Sequence, residues 1–158
     1  MDPTKSDDPD RTLGFLLHDA ARLLRKRFDQ KARSLGLTRS QWQVLAHLAR
    51  NEGIHQGALA DILEIEPITL VRILDKLQAA ELIERRFHPT DRRVRLLYLT
   101  QKARPILGLM RSIGAETRAE ALSGVSARDQ ERLLEVLLAI RANLTAPHMP
   151  SERTVAHG

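Results

Sequence analysis

Residues 66–100 read EPITLVRILDKLQAAELIERRFHPTDRRVRLLYLT, and the rest of the chain can be interpreted outward from them. In the first half of this stretch, apolar residues recur at intervals of three and four, which is the period of an α-helix. They are Leu70, Ile73, Leu74 and Leu77. Pro67 suits the first position of such a helix. The opposite face carries Thr69, Arg72, Asp75 and Lys76, so an amphipathic helix with a polar outer face is predicted.

The second half changes period. Two short runs, 82–87 and 94–99, flank the sequence HPTDRR, which contains turn-forming residues and two arginines. This pattern predicts a two-stranded ribbon with a basic tip, to which Ile54 and His55 add a short third strand. A polar helix face can enter a major groove, and an arginine-tipped ribbon can reach a minor groove or the phosphates. Together they predict a winged helix-turn-helix.

Helical patterns continue on both sides. A helix is predicted at about 12–35, Thr38 with Gln41 forms a capping box for a second, and a third covers about 56–63. Thr100 and Ser126 are expected to cap two long C-terminal helices, with Pro105 bending the first of them slightly. Inward positions are Trp42, Leu45, Leu48 and Ala49 in the second helix, Leu59, Ala60, Ile62 and Leu63 in the third, Ile83, Phe87, Leu97 and Leu99 in the ribbon, and Ile106, Leu109, Met110, Ile113 and Thr117 in the first C-terminal helix.

The fold class is therefore mostly α, with one small β element (α+β), in a single domain of about 11–144. Its reading lobe is expected at about 38–100, and its dimerisation helices at about 12–35 and 101–144. Residues 1–10 and 145–158 are polar or irregular and are predicted to be tails.

The amino-acid composition restricts the possible classes of function. The 158 residues carry a net charge of +5 and no cysteine, which excludes disulfides and thiolate metal sites. No apolar run is long enough for a membrane span, and no signal peptide is evident, so a cytoplasmic, nucleoid-associated protein without membrane partners is expected. The histidines lack ligand spacing and no catalytic motif is present, so neither a metal, a cofactor nor enzyme activity is predicted.

Asp91, Arg93, Leu99 and Thr100 stand at the spacing D-x-R, five residues, L-T. On this motif and the preceding helix, residues 13–144 closely resemble the MarR family of bacterial transcription regulators, and IEPITLVRILDKLQAAELI looks most like its SlyA branch. The resemblance implies a homodimer, which would also cover the wide apolar stripes of the terminal helices. It further implies a pseudo-palindromic operator in double-stranded DNA and release of a repressor by a small ligand. The lack of cysteine excludes the peroxide-sensing mechanism of some members.

Several side chains are candidates for DNA contact. Arg72 could bind a guanine or clamp a phosphate, and it matches an arginine of SlyA-like proteins. Thr69 could contact a base, Ile68 a methyl group and Lys76 a phosphate. Arg92 and Arg93 share the ribbon tip, and the family pattern selects Arg93 for minor-groove insertion. Asp91 is expected to hold the tip by accepting hydrogen bonds from Arg93 or Arg95. Arg85 and Arg86 are expected to bind phosphate, although strand alternation lets only one face the DNA.

An effector site is the usual second function of the family. The residues expected to line it are Leu16, Arg22, Trp42, Leu45, Leu109 and Met110. Arg22 could pair with a carboxylate and Trp42 could stack on an aromatic ring, although both a Trp and a Met at helical spacing also suit plain core.

Two other functions stay open. One is a SlyA-like activator that displaces a silencing protein, and a footprint upstream of the promoter would distinguish it. The other is a winged helix that docks only on proteins. An outward Arg72 together with Arg93 at the tip speaks against the docking module, which has no use for both.

Overall fold

A computed structural model describes residues 11–147, and the predicted tails fall outside this range except for residues 145–147. The helices are α1 (Leu13–Ala32), α2 (Arg39–Arg50), α3 (Gln56–Leu63), α4 (Pro67–Ala79), α5 (Ala103–Ala121) and α6 (Ala127–Thr145), with a short 3-10 turn at Arg33–Leu35 after α1. The strands are β1 (Ile83–Phe87) and β2 (Arg95–Leu99). The chain divides into two compact units, one ending at Ala121 and one beginning at Leu122. This is the predicted winged-helix architecture.

Local sequence signals explain where the helices of the reading lobe begin and end. Thr38 and Gln41 form the predicted capping box on α2, each side chain bonding the other's backbone N–H. Pro67 occupies the first turn of α4, where its missing N–H costs no helical bond. Between α3 and α4, Glu64 adopts a left-handed conformation (φ 53°) and ends α3. The left-handed backbone at Glu64 makes the tight turn between the two helices of the helix-turn-helix.

The ribbon is a regular antiparallel pair. Ile83 lies opposite Leu99 and Phe87 lies opposite Arg95, so the tip spans residues 88–94. The predicted third strand is reduced to one bridge between His55 and Leu96. It is reinforced where the Leu97 N–H donates to the Ile54 carbonyl at 3.0 Å. The base of the ribbon is thereby fixed to the start of α3.

The start of α5 differs from the prediction. Thr100 does not open the helix, which begins at Ala103, because the Thr100 hydroxyl donates to the Glu81 carbonyl at 2.6 Å. Pro105 then falls in the first helical turn, where the backbone N–H has no helical partner in any case. At this position the proline costs α5 no helical hydrogen bond. Ser126 does cap α6, accepting from the Asp129 N–H at 3.1 Å.

One apolar core lies under the ribbon and between α2, α3, α4 and the first part of α5. Its fully buried large side chains are Val44, Leu45, Leu48, Leu59, Leu70, Leu74, Leu77, Ile83 and Leu97. Ala49, Ile62, Phe87 and Leu109, predicted to face inward, are exposed. On α5, Met110 and Thr117 are buried as predicted, and Ile106 and Ile113 are half-buried against the core. Ala103 and Leu107 are buried in addition, on a helix along which α1 packs.

The terminal helices keep much of their apolar surface exposed. In α1 only Ala32 is buried, and among the described residues of α6 none is. The large exposed apolar side chains include Leu13, Phe15, Leu16, Leu23 and Leu24 in α1, and Leu133, Leu134, Val136, Leu138 and Leu144 in α6. None of the helices within residues 11–147 combines the length and hydrophobicity needed to cross a membrane.

Candidate nucleic-acid interface

The outer face of α4 presents a compact set of side chains to solvent. Ile68 is 66% exposed, and Thr69, Arg72 and Lys76 are also exposed. Residues 68, 72 and 76 succeed each other at intervals of four, so they lie along one side of the helix. Arg72 has no ion-pair partner in residues 11–147. Its five N–H donors are free to recognise acceptors outside the chain.

Arg85 is committed to α4 instead. Its Nε donates to Gln78 Oε1 at 2.7 Å, and its terminal nitrogen donates to the Asp75 carboxylate. The side chain is only 19% exposed. Both bonds join β1 to the last turns of the helix, so they hold the ribbon at a fixed angle to α4.

Arg86 occupies the other face of the ribbon, because neighbouring strand residues point in opposite directions. It donates to the Glu84 carboxylate and its guanidinium carbon lies 4.0 Å from the centre of the Tyr98 ring. The hydrogen bond with Glu84 raises the pKa of Arg86 above its ordinary value. Of the two adjacent arginines, only Arg85 is directed toward α4.

The ribbon tip is held by a carboxylate. Asp91 Oδ1 accepts from the Arg93 backbone N–H at 3.0 Å and from Arg93 Nε at 3.2 Å. These two hydrogen bonds, the backbone bond first, lower the pKa of Asp91. Arg93 remains 92% exposed and Arg92 is exposed as well. Of the two partners considered for Asp91, Arg93 is the one that bonds it, and its terminal nitrogens stay available at the tip.

A second candidate site is an open cleft of about 450 Å³ between α1, α2 and α5. It is lined by Phe28, Trp42, Ala46, Ala49, Arg50, Leu107, Met110, Arg111, Gly114 and Arg118. The Phe28 and Trp42 rings lie 4.4 Å apart at 51°, and Trp42 Nε1 donates to Asp29 Oδ1 at 3.2 Å. One wall of the cleft is therefore aromatic and firmly placed.

The cleft contains two of the six residues predicted to line an effector site, Trp42 and Met110. Leu45 is fully buried in the core, and Arg22 pairs with Asp19 at 2.7 Å on α1. Leu16 and Leu109 are exposed and do not line the cleft; Leu109 borders a separate groove beside Lys31.

Three arginines of the cleft were missed by the sequence interpretation. Arg50, Arg111 and Arg118 have no ion-pair partner within the described part of the chain. The seven-residue interval between Arg111 and Arg118, two helical turns, is the sequence signal that could have placed two of them on one face. Arginines beside an aromatic wall suit an anionic aromatic molecule.

Comparison with known proteins agrees with this architecture. The family model described as MarR family matches residues 35–94. The crystal structure of the transcriptional regulator PA3341 is 36% identical, with 84% of this chain and 98% of that chain covered and a TM-score of 0.74. A MarR transcriptional regulator from Methanosarcina mazei Go1 is 25% identical, with coverage of 83% and 94% and a TM-score of 0.75.

The transcriptional regulator SlyA is 23% identical, with coverage of 81% and 90% and a TM-score of 0.69, which is a likeness of fold. The match with PA3341 extends over nearly the whole of that protein, so it includes the terminal helices as well as the reading lobe. The chain belongs to the MarR family, whose members are DNA-binding transcriptional regulators and not enzymes.

Proposed function

We propose that the protein is a homodimeric repressor that binds a pseudo-palindromic operator and is released from it by an anionic aromatic ligand. The observation that carries the proposal is the pairing of an unneutralised α4 face with a ribbon tip whose Arg93 extends into solvent. In this arrangement α4 enters the major groove and the tip reaches the adjacent minor groove. We also propose that the protein belongs to the SlyA-like branch of the family, because the sequence of residues 65–83 resembles that branch.

The dimer is supported by the apolar side chains that α1 and α6 leave in water. Burial of a Leu or Ile side chain stabilises by about 1.5–3 kcal/mol, and several such groups on each helix are not covered by any part of residues 11–147. A second copy with the same surfaces covers them in a two-fold arrangement. Two α4 helices then read half-sites roughly 34 Å apart, one turn of DNA.

Individual roles follow from exposure and chemistry. Arg72 binds a guanine edge or a phosphate, Ile68 and Thr69 contact bases near the helix start, and Lys76 binds a phosphate. At the tip, Arg93 inserts into the minor groove beside Arg92. Asp91 shapes the tip by holding Arg93.

The two strand arginines take different roles in this proposal. Arg85 acts by positioning the ribbon rather than by binding phosphate, as its bonds to Asp75 and Gln78 favour. Arg86 is the phosphate ligand only if its bond to Glu84 opens.

The ligand is assigned to the cleft on α1, α2 and α5. A carboxylate bound by Arg111 and Arg118 places an aromatic ring against Trp42 and Met110. Because the cleft joins α1 and α5 to α2 of the reading lobe, occupancy changes how the lobe is held. A ligand that binds better to the form with the wrong half-site spacing shifts the population toward it and lowers operator affinity.

Operator binding is tested by selecting bound fragments from host genomic DNA and footprinting the strongest. The proposal expects two protected half-sites one helical turn apart, overlapping a promoter. Protection confined to sequence upstream of the promoter would instead favour the SlyA-like activator. No retention of any duplex in 50 mM salt would refute DNA binding and leave the protein-docking module.

Ligand binding can be followed with the intrinsic fluorescence of Trp42, because it is the single tryptophan of the chain. Benzoate is expected to quench this emission saturably, whereas benzamide, which has the same ring without the charge, is not. Arg111→Gln should weaken quenching by benzoate about tenfold, since one charge-assisted hydrogen-bond pair is lost. Arg25→Gln, an exposed arginine of α1 outside the cleft, serves as the control. Equal quenching by both compounds would contradict an anion site.

A further inference from the structure

Phe87, at the end of β1 next to the ribbon tip, is an aromatic residue that is not part of the core. Phe87 is 56% exposed, whereas Ile83, Leu97 and Leu99 on the same strands are buried. Its partner across the ribbon is Arg95, whose guanidinium carbon lies 3.7 Å from the centre of the ring. A guanidinium stacked in this way keeps its N–H edges free while losing much of its own freedom of movement.

This pair lies on the side of the ribbon that faces α4. Side chains alternate along a strand, so Phe87 shares a face with Arg85, and Arg95 shares it through the register. Arg85 on that face reaches Asp75 on the exposed side of α4. The stacked pair therefore extends the polar surface of α4 toward the ribbon tip.

The charge of Arg95 is not neutralised within residues 11–147. It forms no ion pair there, and two acidic side chains of α4 and the tip are engaged by other arginines, Asp75 by Arg85 and Asp91 by Arg93. Arg95 also stands two residues behind Arg93, a separation of at most about 7 Å along the chain. The minor groove is about 6 Å wide, so an arginine at that interval from an inserted tip reaches the phosphates at its edge.

We propose that Arg95, held flat on the Phe87 ring, is a phosphate-binding residue that fixes the ribbon at the edge of the minor groove. The inference rests on the proposed DNA binding and adds an anchor to it. Stacking places the guanidinium before DNA arrives, so that a bidentate bond to one phosphodiester forms at a smaller entropic cost than with a free side chain. Because the contact is to the DNA backbone, it does not distinguish between bases and should strengthen binding to every DNA sequence equally.

The test measures the affinity for a labelled 30-base-pair duplex of mixed sequence at several salt concentrations. Arg95→Ala is expected to reduce the slope of log affinity against log salt by about two for a bound dimer, one ion for each ribbon, with about tenfold weaker binding at 0.1 M salt. Phe87→Leu should keep the parent slope, because the charge remains, and weaken binding about two- to fivefold.

The control is Arg33→Ala, which removes the same charge from an exposed position in the 3-10 turn after α1 and should leave the slope unchanged. Melting curves of all variants should coincide within a few degrees, since Phe87 and Arg95 are exposed. An unchanged slope in Arg95→Ala would overturn the inference while the parent still binds DNA. Loss of affinity in Phe87→Leu without any effect of Arg95→Ala would also overturn it, because the ring itself would then be the contact. A parent protein that ignores the duplex would instead refute the proposed function.

Discussion

At the scale of single residues, Glu81 occupies a position that suits glycine. It joins α4 to β1 with φ 59°, in the left-handed region that costs a residue with a Cβ about 1–2 kcal/mol. Glu81→Gly removes that cost but makes the unfolded chain freer by about 0.5–1 kcal/mol. We expect a net gain of about 0.5–1 kcal/mol in unfolding free energy, visible as a melting temperature about 1–4 °C higher.

The control for this prediction is Glu81→Ala. It also removes the exposed ion pair with Lys102 but keeps the Cβ. If alanine stabilises as much as glycine, the backbone strain is not the cause.

Arg72 and Arg93 are expected to differ in the kind of binding they support. Arg72→Ala should cost about 1–3 kcal/mol on the selected operator and relax its sequence preference, because a base contact is lost. Arg93→Ala should weaken binding to every duplex and lower the salt slope by about one for each ribbon. Competition titrations with operator and mixed duplexes measure both effects. Identical behaviour of the two variants on both duplexes would contradict the division of roles.

Which side chains reach the surface was largely predictable, but their partners were not. The outward positions of Thr69, Arg72 and Lys76 followed from the helical period alone. The engagement of Arg85 with a carboxylate ten residues earlier depends on the angle between a strand and a helix, which no local pattern encodes. Arg50 of the cleft was missed for a related reason, since it lies on α2 and meets Arg111 and Arg118 of α5 only in the folded chain.

At the scale of elements, the bonds of Arg85 connect the ribbon to α4, and their loss should be distinguishable from loss of a phosphate contact. Arg85→Ala leaves the Asp75 carboxylate unpaired on the exposed side of α4 and frees the ribbon. We expect about tenfold weaker operator binding with an unchanged salt slope. Arg85→Ala with Asp75→Ala should recover part of the affinity, because the repulsive carboxylate is gone. A slope reduced by about one for each ribbon in Arg85→Ala would show instead that this arginine binds phosphate.

The boundaries of helices and strands were predictable to within a few residues. Which individual side chains are buried was predicted less well. The capping box of Thr38 and the proline at the start of α4 fixed helix starts from local chemistry. On α5, apolar residues occur on more than one face, and only packing against α1 selects Leu107 over Leu109. Phe87 is apolar and lies on the same strand face as the buried Ile83, but it stands beyond the edge of the core and is exposed.

At the scale of the whole molecule, the two compact units differ in how they bury apolar surface. The unit that ends at Ala121 has its own core, while the described part of α6 contains no buried residue. A helix of 19 residues with exposed leucines is marginal in water on its own. The stability of α6 in the protein without DNA therefore depends on what covers its apolar side chains. We propose that a second copy of the chain covers them.

Val136→Glu tests that dependence. Val136 lies in the middle of the apolar stripe formed by Leu133, Leu137 and Ile140, and a carboxylate there must be buried when two copies associate. We expect a parent whose mass by sedimentation is that of a dimer at micromolar concentration and whose melting temperature rises with concentration. The variant should sediment as a monomer and lose operator binding, because a monomer contacts only one half-site. Ala142→Glu places the same charge on the opposite, exposed side of α6 and should stay dimeric. A variant that keeps the parent's mass would show that this stripe lies outside the dimer interface.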